Sequence, residues 1–230
     1  MNRTHSNTVT PSAQYQDLVK RTAFHEAGHA TSIYLYNKNN SLPPVFFQIT
    51  TKELCCHKFF AEPSDNLNNK HFVAHIEGGR LIQNPSIPLV ESKNKLNKTE
   101  QLNYQAAYEA DIINLLVGPL SEAKHVALRD DEPFNSLLIN PDALKFYGGE
   151  SDLKSIQNYL NHFIDNELDR KLKLKELFSR AFHFIDNKTH WKAIASLAEF
   201  IENNKNKTIS CEQAFQVLDK SIALLSAMRN

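Results

Sequence analysis

The sequence predicts a mainly α fold carrying a small β-sheet, and three observations predict it. Apolar residues recur at three- and four-residue spacing through most of the chain. Short runs rich in β-branched and aromatic residues are confined to one interval, between Val45 and Ile76. Six glycines in 230 residues favour long helices over frequent tight turns.

The elements follow in order. Residues 1–13 are polar, lack the apolar stretch of a signal peptide, and are expected to form a disordered tail. Residues 14–230 are expected to form a single domain. From Gln14 to Tyr36, Tyr15, Leu18, Val19, Thr22, Ala23, Ala27, Ala30 and Ile33 fall at helical spacing. Asn37 to Pro44 is a turn-rich break. Val45–Thr51, Leu54–Ala61 and His71–Ile76 read as strands of a small sheet or hairpin, and Asn84–Lys98 as a loop. Leu102, Ala106, Ala110, Ile113, Leu116 and Val117 form a helical stripe that meets Gly118-Pro119, where a kink or break is expected because proline removes a hydrogen bond and crowds the preceding turn. A polar loop spans Arg129 to Gly149. Helices then begin near Ser151 and cover about Asp169–Phe184, His190–Asn203 and Ser210–Met228, the last opening with Ser210 and Gln213 at capping-box spacing.

The 26 basic and 26 acidic residues cancel, so there is no electrostatic reason to expect nucleic acid as a partner. No segment is apolar enough for a membrane span. Three cysteines, with Cys55 and Cys56 adjacent, do not form a disulfide framework. A cytoplasmic, reducing environment is the expectation.

The chemistry concentrates in His25-Glu26-Ala27-Gly28-His29-Ala30. On a helix, positions i and i+4 share a face, so both imidazoles can address one ion. Glu26 then leans toward a water held by that ion and can take its proton. This is the H-E-x-x-H arrangement of metallopeptidases. A catalytic zinc takes a third protein ligand. A thermolysin-like glutamate on the next helix does not fit, because that interval reads as sheet. A metzincin-like histidine soon after His29 does not fit either, since Tyr34, Leu35 and Tyr36 stand there. His57, His71 and His75 are candidates whose plainer reading is surface histidine. Asp152 is another, whose plainer reading is favourable negative charge in a first helical turn.

HEAGHA, LLVGPLSEA (Leu115–Ala123) and GGESDL (Gly148–Leu153) occur in an order that resembles the peptidase domain of FtsH-type ATP-dependent zinc metalloproteases. WKAIASLAEFI and TISCEQAFQVL are weakly similar to that domain's closing helical pair, so the resemblance covers most of residues 14–228. It implies an FtsH-type helical fold, zinc as cofactor, His25, His29 and Asp152 as ligands, and Glu26 as general base. Glu122 matches a family glutamate near the site; the resemblance implies a supporting residue, with a reserve role as ligand. Pro119 replaces the family's usual arginine, and Ser155-Ile156 stands where Ala-Thr is typical. The β segment lacks the family's glycine-rich stretch, and no phosphate-binding G-x-x-x-x-G-K-[ST] loop is present.

The expected function is therefore zinc-dependent endopeptidase action on small or unfolded polypeptides, with an extended peptide adding to a sheet edge within Val45–Ala61. A separate AAA ATPase or self-association is the expected partner arrangement. The alternative is a non-catalytic, zinc-stabilised binding or adaptor protein derived from such a domain.

Overall fold

Two long helices packed against each other form the centre of the molecule. The structure, a computed structural model, describes residues 11–51, 74–82 and 97–227. Helix α1 runs Pro11–Asn39 and α2 runs Lys98–Arg129. α1 offers Gly28, where any Cβ would overlap Ser121 and the Val117 carbonyl, toward an α2 whose Ile113, Leu116 and Leu120 are fully buried. Small side chains on one helix let the larger ones on its neighbour fill the groove. Asn97 starts α2 with a reciprocal box: its side chain accepts from the Glu100 amide, and the Glu100 carboxylate accepts from the Asn97 amide.

Of the kink or break expected at Gly118-Pro119, the break does not occur. α2 continues through Pro119 to Arg129, and every residue from Tyr108 to Lys124 is buried. A proline costs a helix one N–H and some crowding. Burial of that whole stretch against α1 and the later helices outweighs the local cost.

The sheet has three antiparallel strands: β1 (Phe47–Thr51), β2 (Ala74–Gly78) and β3 (Thr208–Ser210), in the order β2-β1-β3. β1 is central, with Ile49 opposite Ile76 on one side and Ile209 on the other. A free edge within Val45–Ala61 is expected; its described part, β1, is paired on both sides, and among the described residues the edge near the site is β2. β3 was not expected as a strand at all. The expected strand Leu54–Ala61 lies outside the described residues, as do Cys55, Cys56, His57 and His71.

The expected loop before Gly149 contains a 3₁₀ helix, Pro141–Tyr147, capped by the Asn140 side chain on the Ala143 amide. Helices α3 (Glu150–Phe163), α4 (Glu167–Asp186), α5 (Lys188–Asn203) and α6 (Cys211–Ala227) follow. Asn166 and Asn187 cap α4 and α5. The Ser210–Gln213 capping box forms, with bonds of 2.9 and 3.4 Å. α4 packs on α2, α5 on α1, and α6 on α5. The architecture is mainly α with a small sheet. Among the described residues, no helix is long and apolar enough to cross a membrane.

Candidate metal centre

His25 and His29 lie one turn apart on the buried middle of α1, their ring centroids 4.8 Å apart and their planes inclined at 69°. Asp152 comes from the first turn of α3. Its Oδ2 lies 3.2 Å from His25 Nε2 and its Oδ1 3.6 Å from His29 Nε2. One potential ligand atom from each of the three residues lies within 4.8 Å of the other two. Two imidazole nitrogens and one carboxylate gathered this closely in a buried place could hold a metal ion.

The opposite ring nitrogens are anchored. His29 Nδ1 donates to the Asn114 carbonyl at 2.7 Å. His25 Nδ1 faces Glu122 Oε2 at 3.1 Å and the Tyr147 carbonyl at 3.2 Å. His25 Nε2 in turn donates to Asp152 Oδ2, and it is the proton on this side, not the anchored Nδ1 side, that a metal would replace. Glu122 is itself gripped by Arg21, at 2.7 and 2.9 Å. Glu122 thus stands behind His25, on the face away from Asp152, where it orients the imidazole.

The charges favour a bound cation. Burial alone would lower the pKa of His25, but hydrogen bonds to Asp152 and Glu122 outweigh it and hold the ring well above its usual value. Burial would raise Asp152, yet the two histidines hold it well below the carboxylate range. Glu122 is likewise lowered against its burial, by His25 and Arg21. Two buried carboxylates converging on paired imidazoles stabilise positive charge between them, carried by a proton or by a metal.

Two glycines make this convergence possible. The His29 ring lies against Gly118 of α2, where any Cβ would overlap it. Gly148 adopts φ +70° and turns the 3₁₀ helix directly into α3; a Cβ there would meet Glu122 Oε2 at 3.0 Å and His25 Nδ1 at 3.1 Å.

The site opens on a cavity of about 660 Å³ walled by α1, α2, the start of α3 and β2. Glu26 lines it and accepts a 2.7 Å bond from the Ile76 amide of β2. In the β1–β2 register, His75 and Glu77 hydrogen-bond toward β1, so Ala74, Ile76 and Gly78 turn their backbone groups outward. Buried Asp111 accepts from the amides of Leu81 and Ile82 and from Tyr159 Oη, each at 2.9 Å, tying the exit of β2 to α2 and α3. The structure therefore brings His25, Glu26, His29 and Asp152 to one cavity. His75 is on its wall, outside the three-residue group. Arg21, Asp111 and the carbonyls of Asn114 and Tyr147 were missed from sequence. Asp111 and Asn114 interrupt the apolar stripe of α2, a signal that could have found them; the two carbonyls leave none. The chain matches no protein-family model, and no curated protein or solved structure is significantly similar to it.

Proposed function

We propose that the chain is a zinc-dependent metallopeptidase, similar in its site to FtsH-type peptidase domains, that acts on small or unfolded polypeptides. The observation that carries this reading is the convergence of His25, His29 and Asp152 within 4.8 Å on a cavity that Glu26 also lines. His25, His29 and Asp152 would hold the ion. When bound, zinc polarises a peptide carbonyl and acidifies water. Glu26 takes the water's proton and returns it to the departing amine. Asn114 and Glu122 keep the imidazoles aimed while charge shifts around them. An extended peptide adds to β2 through the outward backbone groups of Ala74, Ile76 and Gly78, which read main chain with little side-chain selectivity. Since the Ile76 amide is bonded to Glu26, docking either uses the remaining groups or displaces Glu26 from that amide.

A non-catalytic zinc-stabilised binding protein is the second reading, and the same Glu26–Ile76 bond favours it, because that bond ties α1 to β2 with no chemistry required. Glu26→Gln separates the two. The glutamine keeps an acceptor for Ile76, so zinc content should be retained while hydrolysis of an unfolded casein falls by roughly 10²–10⁴-fold. Unchanged turnover would sink the peptidase mechanism.

A further inference from the structure

One wall of the cavity carries a charge that the chemistry above leaves unused. Arg80, two residues beyond β2, is exposed and lines the cavity. Its Nη2 donates to Ser155 Oγ at 3.3 Å, and its guanidinium lies over the Tyr159 ring, 5.9 Å from the centroid. Ser155 follows Asp152 by three residues on α3, so the two share a face about one turn, roughly 4.5 Å, apart. The guanidinium is therefore held beside the helix that delivers the candidate metal ligand, at the end of the strand against which a peptide would lie.

Among the described residues, no carboxylate forms an ion pair with Arg80. Asp111 senses its charge, but the Asp111 oxygens are already taken by Leu81, Ile82 and Tyr159. Arg21, the other arginine on this cavity wall, is committed to Glu122. A guanidinium fixed by an aromatic face and a hydroxyl keeps donors for a carboxylate at little cost in ordering.

We infer that Arg80 is an anion-recognising subsite of the cleft, taking a carboxylate of the bound peptide close to the scissile bond. That carboxylate is either an Asp or Glu side chain or the terminal α-carboxylate. The inference rests on the peptidase reading for its substrate class, and it adds side-chain or end selectivity to an otherwise main-chain-reading edge.

The test is peptide binding to zinc-loaded Glu26→Gln protein by fluorescence anisotropy. Three labelled peptides of one sequence are compared: internal Glu with an amidated end, internal Gln with a free carboxyl end, and internal Gln with an amidated end. One carboxylate-bearing peptide should bind about tenfold tighter than the neutral one, and its identity names the source of the anion. The preference should shrink with salt, persist in part in Arg80→Lys, and collapse to near parity in Arg80→Ala. Equal binding of all three peptides, or a preference that survives Arg80→Ala, overturns the subsite. Hydrolysis of the same peptides by the unsubstituted chain judges the peptidase separately. Hydrolysis without preference removes the subsite and keeps the peptidase; preference without hydrolysis does the reverse. Failure of every peptide to bind overturns the subsite and its peptide-cleft basis together.

Discussion

The core where α5 and α6 meet is built from different material from the core where α1, α2 and α3 meet. The first is closed by Ala193, Ile194, Leu197, Ala198, Ile201, Ala214 and Leu218, all buried and apolar. All thirteen buried polar or charged side chains among the described residues lie on α1, α2 and α3. Those from His25 on α1 to Asp152 on α3 that build the candidate metal centre are in the second, while Glu109 and Lys124 face α4 instead. Burying a polar group costs stability unless a partner satisfies it, and an apolar replacement of similar shape is often no worse. Polar side chains gathered on one side only are therefore better accounted for by the proposed metal site than by stability. The apolar side supplies the stability that tolerates them.

The sharpest test of that division removes volume on the apolar side. Leu218→Ala takes a fully buried side chain from α6 and should cost about 2–5 kcal/mol in urea unfolding of the zinc-free protein. Zinc content of the folded variant should stay at the unsubstituted level. Loss of zinc in protein that is still folded would show that the two regions are not separable in this way.

The division also governs how much could be read from the sequence. Helix α1 was legible from its apolar spacing, whereas the place of Asp152 beside the two histidines was suggested only by the resemblance of GGESDL to a family motif, since its residues alone read equally well as negative charge in a first helical turn. The continuity of α2 was not, since Gly118-Pro119 is a local stop signal that tertiary burial overrides. β3 is three residues long, too short to show alternation, and it exists as a strand through pairing with β1. For the same reason the pairing of β1 on both sides could not be foreseen: partners 160 residues apart, Ile49 and Ile209, leave no local trace. The 3₁₀ helix carried a readable sign, Asn140 before Pro141, but its seven residues are too few for a periodic pattern. Supporting contacts made by backbone carbonyls are invisible before the chain is folded.

A smaller effect is expected from Glu122→Gln, which keeps the shape behind His25 and removes the charge. Zinc affinity should fall 10- to 100-fold, the usual range for loss of a group that orients a metal-binding histidine. Asp152→Ala should instead abolish zinc binding, because it removes one of three ligands. A competition titration with a chelator distinguishes the two. If Glu122→Gln lost zinc entirely while Asp152→Ala retained it, the proposed ligand set would be overturned, and the polar side of the core would need another centre.

The smallest effect lies in the sign of two pH slopes. In the zinc-free protein, His25 has a pKa raised well above 6.5, chiefly because hydrogen bonds to Asp152 and Glu122 overcome its burial. A group raised on folding stabilises fully below its unfolded value, and that contribution is lost as pH rises through the folded value. Zinc-free protein should therefore lose stability above about pH 6.5, by at most about 1.4 kcal/mol per pH unit for one proton. Asp152 and Glu122 are lowered, so their contribution is lost in a separate window, on acidification below the ordinary carboxylate range. Zinc needs the unprotonated imidazole, so its affinity should rise across the interval in which the zinc-free protein weakens. Urea unfolding without metal and zinc titration, both followed from pH 6.5 upward, should slope in opposite directions. Slopes of the same sign would mean that the His25 proton and the metal do not compete for one place.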